Sequence, residues 1–214
     1  MRDILEPLLG GQFYCRYSTP AVYNKLCDAV FAREVDGALG PLGRALGHLG
    51  EEGEPTAFFA RYVDLSDPRD RLAATEELKQ IRDQIAPVLE FIQLCARAGR
   101  GDICLAPGEE LYFGELLSQL EHHTVCRDQL RDLAAHSFFA RVKNADDYKD
   151  KLTAVLRIMI EAGYLVRKGA ESSIYVATGK MGYLYQVMTW IVENQRLLPA
   201  TAEDGVDQQK SMPV

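Results

Sequence analysis

The sequence predicts a mostly α-helical chain with small β-hairpins, an α+β fold, and three observations predict it. Residues 146–178 read as helix, tight turn, strand, polar loop and strand. Residues 1–66 carry strand and helix signals in a related order. A continuous helical period over 67–95 joins the two. A helix delivered directly into a hairpin is the second half of a winged helix-turn-helix, so the expected architecture is two winged-helix domains in tandem, joined by a helical linker. The expected boundaries are 1–66 for an N-terminal winged-helix-like domain and 67–86 for the linker helix. A C-terminal winged-helix domain with an extra final helix follows over 87–198, and a polar, disordered tail over 199–214.

Within 146–178, Tyr148, Leu152, Val155, Leu156, Met159 and Ile160 recur at three- and four-residue steps and so line one face of a helix. Asn144 or Asp146 can cap its start, and Asp146 and Asp147 suit the positive end of the helix dipole. Gly163 ends it. Residues 164–166 and 174–176 are β-prone, and Arg167-Lys168-Gly169-Ala170-Glu171-Ser172-Ser173 between them forms a polar hairpin tip.

In the first unit, Ile4, Leu5, Leu8 and Leu9 predict a short amphipathic helix ended by Gly10-Gly11, and residues 12–17 a strand. Ser18 or Thr19 caps a helix opened by Pro20, with Val22, Leu26, Ala29, Val30 and Phe31 on its buried face. Leu39, Leu42, Leu46 and Leu49 continue at helical spacing. That stretch also carries Gly37, Gly40, Gly43, Gly47 and Gly50, which weaken a helix but let another backbone approach closely. Glu51-Glu52-Gly53-Glu54 is a loop, and 56–65 the strongest strand of this half.

Ser66-Asp67-Pro68 is a helix start. Leu72, Leu78, Ile81, Ile85, Val88, Leu89 and Ile92 hold a helical period to Cys95, with a kink or break expected at Pro87. Gly99-Arg100-Gly101 ends that helix, and 103–105 is a short strand. Pro107-Gly108-Glu109-Glu110 opens a helix with Leu111, Phe113, Leu116, Leu117 and Leu120 as its apolar set. An additional helix over 127–141 precedes the one described above. The final helix, 181–197, has apolar and aromatic residues on more than one face, which a solvent-facing helix does not need. Tyr183, Tyr185, Val187, Trp190 and Ile191 are therefore candidate protein-interface residues.

The 214 residues are 47% hydrophobic and 26% charged, an ordinary globular composition, and no apolar run approaches the length of a membrane span. The first residues lack the basic flank and apolar core of a signal peptide, so a cytoplasmic protein is expected. Cys15, Cys27, Cys95, Cys104 and Cys126 are odd in number, scattered and without a Cys-x-x-Cys pair, which reads as reduced thiols. A net charge of −7 repels nucleic acid, leaving DNA contact only to a local basic patch.

No Gly-x-x-x-x-Gly-Lys-Ser/Thr phosphate loop occurs. His122, His123 and Cys126, with Cys104 or His136, are the one close set of metal-type donors, and nothing ties them or any Cys–His pair into a motif. No catalytic residue, cofactor or metal is expected. Basic residues gather around the helix and hairpin of 146–178. Arg141 and Lys143 precede them, and Lys149, Lys151, Arg157, Arg167, Lys168 and Lys180 are the candidate phosphate contacts. Asp146, Asp147, Asp150, Glu161 and Glu171 are interleaved with them and dilute the field.

Glu110-Leu111-Tyr112-Phe113-Gly114-Glu115-Leu116-Leu117 looks like an ELYxxELL helix. Lys151-Leu152, Leu156, Met159 and Gly163-Tyr164-Leu165 are followed by Ser172-Ser173-Ile174-Tyr175-Val176-Ala177-Thr178, a hairpin whose second strand begins with serines and ends in threonine. In these motifs, and in the helical insertion between the second and third helices of the winged-helix motif, the chain resembles the MukE/MksE group, tandem winged-helix accessory subunits of bacterial condensins. Its length and the lack of a long acidic tail look closer to MksE. The resemblance implies a non-enzymatic homodimer that binds a kleisin subunit (MksF-like). Through the kleisin it would join an SMC-type ATPase (MksB-like) at the nucleoid, in chromosome segregation and condensation or in plasmid defence. ATP hydrolysis would then belong to the partner, and any DNA contact would be non-specific. Two alternatives stay open: a dimeric winged-helix transcription regulator, and a thiol or metal enzyme.

Overall fold

The computed structural model describes residues 1–51, 53–98, 105–142 and 147–194. Several expectations lie outside these residues: the caps at Asn144 and Asp146, the helix end at 99–101, most of the strand at 103–105, Lys143, Cys104 and the tail. Leu105 itself is buried but belongs to no strand.

The chain starts with α1 (Arg2–Leu9), which buries Ile4 and Leu8, and a two-residue strand β1 (Tyr14–Cys15), shorter than the six residues expected. The single helix expected after Pro20 is two helices, α2 (Pro20–Leu26) and α3 (Ala29–Leu39). Asp28 makes the break: its carboxylate accepts the backbone N–H groups of Val30 and Phe31, both at 2.9 Å, and so caps a new helix start. Such a cap stabilises a helix by about 1 kcal/mol. Val30 consequently sits on the outside, 61% exposed, and not in the core.

A larger correction concerns the glycine-rich stretch. After a 3₁₀ turn (Gly40–Leu42) it forms strand β2 (Arg44–Glu51), paired antiparallel with β3 (Glu54–Tyr62). Leucines at helical spacing lose to glycines that cost a helix its backbone entropy and suit a hairpin. Gly47 lies opposite Phe59, where the phenyl ring takes the space of the missing side chain; Gly50, at φ +91°, carries the register shift next to Leu49.

Asp67 caps α4 (Pro68–Ala98) by accepting the Arg69 N–H at 2.8 Å. A kink or break is expected at Pro87; there is no break, and α4 runs through it as one helix. An interior proline costs a helix about 3 kcal/mol. Burial of Val88, Phe91, Leu94 and Cys95 just beyond it offsets that cost.

Residues 110–112, expected inside a helix, are strand β4 (Glu110–Tyr112), which pairs with β6 (Ile174–Ala177) and so satisfies its backbone groups across the sheet. Helices α5 (Phe113–His122) and α6 (Thr124–Ala135), a 3₁₀ segment (Ser137–Val142) and α7 (Tyr148–Glu161) follow. The additional helix is thus present, as α6. Gly163 turns the chain at φ +81° into β5 (Leu165–Arg167), which pairs with β6. The last described helix is α8 (Gly179–Glu193).

Among the described residues the protein is therefore mostly helical, with two small antiparallel sheets of order β1-β3-β2 and β4-β6-β5. Each half runs helix, strand, helices, strand, strand, and in each the last strand is the central one. The large core lies in the second half, around Phe91, Phe139, Leu152, Leu156 and Tyr164; a smaller one gathers Leu8, Leu26, Val35 and Leu39.

A third cluster joins the halves. Cys15, Leu49 and Ala57 of the first sheet are buried together, with Phe13, Phe59 and Tyr183 packed against them. The Tyr183 ring of α8 lies 5.1 Å from Phe13 and 5.4 Å from Phe59, which stack on each other at 5.2 Å. The Gly179 N–H donates to Cys15 Sγ at 3.3 Å. A Cβ on Gly179 would overlap that of Ala57 and come within 3.0 Å of that of Cys15. On the other side of the sheet Arg44 lies over the Tyr62 ring, 3.3 Å from its centroid, and donates to Glu77 of α4 at 3.1 Å. The Tyr62 hydroxyl donates to the same carboxylate at 2.8 Å.

Gly179→Ala is expected to lower the unfolding free energy by about 1–3 kcal/mol through overpacking of this seam. Gly37→Ala, in an α3 position with no neighbour within 4 Å, is expected to raise it by about 0.5–1 kcal/mol. Urea unfolding of the two variants beside the parent checks both signs.

Candidate interaction surfaces

On α7 the buried residues Leu152, Val155, Leu156, Ile158 and Met159 take most of the circumference. What remains is a narrow stripe of Lys149, Asp150, Thr153, Arg157 and Glu161. Two cations face two carboxylates there, and Arg157 Nε lies 3.8 Å from Glu161. The stripe has no net positive charge with which to follow a phosphate backbone. Lys151 is half-buried at its edge.

The hairpin cations are engaged elsewhere. Arg167 donates to the Ala170 carbonyl at 3.1 Å and to the Tyr175 hydroxyl at 3.4 Å, with its guanidinium 5.5 Å from the Tyr175 ring centroid. Lys168 pairs with Glu110 of β4, and hydrogen bonds from Lys168 and then Tyr112 hold the Glu110 carboxyl below the usual carboxylate range. Lys180, in the first turn of α8, points inward: its ammonium donates to the Ala162 carbonyl at 2.8 Å and lies 5.0 Å from the Tyr164 ring. Desolvation lowers its pKa below that of an ordinary lysine. The six candidate phosphate contacts thus divide among an α7 face, a hairpin and a cleft.

The first half is more acidic still. α3 exposes Arg33, Glu34 and Asp36, and Asp36 accepts the Leu46 N–H at 2.8 Å. At the tip of the β2–β3 hairpin Glu51 and Glu54 are paired and exposed, so carboxylates stand where a DNA-tracking hairpin needs cations. Reading this stretch as a plain loop missed its position; Gly50 and Gly53 set among Glu51, Glu52 and Glu54 were the available signal.

The candidate interface residues of α8 also divide. Tyr183 is spent on the seam and Tyr185 packs against the second core. Val187 and Ile191 are half-buried and Trp190 is 56% exposed, continuing to Val192 at 65%. No charged residue occurs from 181 to 192. The outer half of α8 is therefore an apolar, uncharged strip on an acidic protein.

Among the described residues, two neighbouring hollows open along the seam beside Lys180. One, of about 460 Å³, is lined by Gly10, Gln12, Ser18, Thr19, Gly163 and Lys180, among others. The other, of about 420 Å³, is lined largely by apolar groups, including Leu9, Phe59, Leu65, Leu78, Ile81 and Tyr183. They share Gly10, Gly11, Phe13 and Lys180 and so form one continuous groove. Sequence reasoning missed it because its walls lie up to 170 residues apart in the chain.

Of the thiols, Cys15, Cys95 and Cys126 are buried and Cys27 is exposed; burial pushes the Cys95 thiol far up. His136 bonds to Glu90 at 2.8 Å. Among the described residues no three His, Cys, Asp or Glu side chains are placed to hold a metal ion, and no helix is long and apolar enough to cross a membrane. Comparison with known proteins returns no match, whether with family models, curated proteins or solved structures.

Tyr164 closes the second core beneath Lys180 and donates to Gln84 of α4 at 2.7 Å. Burial raises its pKa well above the ordinary 10.0. Its protonated phenol therefore contributes stability that is intact below pH 10 and lost as pH rises above it. Burial raises Tyr14, Tyr23, Tyr62 and Tyr183 as well, so they share that window. Tyr164→Phe is expected to cost about 1 kcal/mol at neutral pH through the lost hydrogen bond. Above pH 10 its stability should fall less steeply than the parent's, as measured by urea unfolding across pH 7–11.

Proposed function

We propose that this chain is a non-enzymatic accessory subunit of an SMC-like bacterial condensin complex, of the MukE/MksE kind. In this reading two winged-helix units in tandem serve as a scaffold for protein contacts. A homodimer binds a kleisin and supports chromosome segregation and condensation, or plasmid defence, in the cytoplasm at the nucleoid. The observation that carries it is the repeated unit: the strand order first–third–second occurs twice, and among the described residues neither copy presents an unpaired basic face. A winged unit that read DNA would keep such a face. The uncharged strip on α8 and the groove along the seam supply surfaces for protein partners. The alternative, a dimeric transcription regulator, draws, among the described residues, on the exposed Lys149 and Arg157 of α7.

Mixed with the products of neighbouring genes, the purified chain is expected to co-elute with a kleisin-like protein on gel filtration; no complex would sink the proposal. Trp190→Glu is expected to shift the dimer towards monomer without changing the melting temperature, because Trp190 is already exposed in the single chain. Binding to duplex DNA should be weak and sequence-independent. A regulator making about six phosphate contacts would instead show log K falling against log salt with a slope near −5.

A further inference from the structure

We infer that the groove along the seam receives a protein segment of mixed chemistry, apolar residues flanking one carboxylate, with Lys180 as the carboxylate's anchor. This rests on the proposed role as a protein-docking subunit and names the chemistry of the partner segment. The groove changes character along its length. Leu9, Phe59, Leu65, Leu78 and Ile81 give one end an apolar floor, edged by Arg61 and by Glu77, which is itself bonded to Arg44 and Tyr62, whereas Gln12, Ser18 and Thr19 make the other end polar. Lys180 belongs to both ends. Its ammonium is withdrawn from bulk water, and among the described residues its one hydrogen-bond partner is the Ala162 carbonyl. No carboxylate of the described residues forms an ion pair with it; Glu161, on the same wall, faces Arg157. A desolvated cation with one neutral acceptor is a costly feature for folding, and a carboxylate entering the cleft supplies the missing charge in a site where Coulomb attraction is weakly screened. Thr178 fixes the position of this lysine: its hydroxyl oxygen accepts the Lys180 N–H at 3.2 Å, and its hydroxyl donates to the Gly163 carbonyl.

The test uses the full chain as bait for a random 12-residue peptide display library, followed by titration of synthetic versions of the selected peptides. The expected peptides carry one Asp or Glu flanked by Leu, Ile or Phe, and in ¹⁵N-labelled protein they shift the amide signals of Gly11, Phe13, Gly163 and Lys180. Changing the peptide acid to its amide, or making Lys180→Met in the protein, should each weaken binding by roughly thirtyfold or more. Lys180→Arg should retain most of it, and Lys180→Met should melt no lower than the parent, since it removes an unpaired charge. Peptides that lack an acid, that bind Lys180→Met equally well, or that shift residues elsewhere would overturn the assignment, as would a library that yields no binder. Inorganic phosphate producing the same shifts by itself would reassign the cleft to a phosphate. A peptide of this chain's own residues 195–214, which contain Glu203, Asp204 and Asp207, is titrated in parallel; its binding at the same residues would overturn the partner reading. Peptides that bind as expected while no complex forms with neighbouring gene products would refute the condensin role and leave the groove intact.

Discussion

The start of α8 lies against the first sheet with no room for a Cβ at Gly179, and much of the molecule depends on that approach. Because the helix begins there, the Gly179 N–H reaches Cys15, Tyr183 enters the Phe13–Phe59 stack, and Lys180 is turned towards Ala162 and Tyr164. Two halves with separate cores thus become one packed body, tied on the far side of the sheet by Arg44, Tyr62 and Glu77. The groove along the seam is a consequence of the same contact, since neither half possesses it alone.

Charge decides how such a body can be used. A net charge of −7 sets a repulsive background for nucleic acid. Local structure does not reverse it: the α7 stripe is balanced, the second hairpin's cations bond within the protein, and the first hairpin ends in glutamates. Surfaces free of charge stand out by contrast. The outer half of α8 carries no charged residue from 181 to 192, so a protein surface can meet it without bringing like charges together.

The legible parts of the sequence were those where local and tertiary forces agree. The period of Leu152, Val155, Leu156 and Met159 marked α7, the glycine at 163 its end, and Ser66-Asp67-Pro68 the start of α4. The failures came where they compete. Leu46 and Leu49 sit at helical spacing, yet pairing with β3 made them strand. Leu111 looked like the first turn of a helix, yet β6 claimed it. Pro87 looked like a break, yet burial on the far side held the helix together. Of the site, the apolar excess of α8 was readable, but not which of its residues are used internally.

The sequence by itself determined the balance of helix and hairpin, the acidic field, the missing phosphate loop and the apolar last helix, because each is a property of composition or of short-range periodicity. Only the tertiary structure decided that Lys180 faces inward and not towards solvent, that Tyr183 joins two halves, and that a groove runs between them. Those depend on contacts between residues 10–20, 57–62, 77–84 and 160–183, and no local spacing in a chain encodes which distant surfaces will meet.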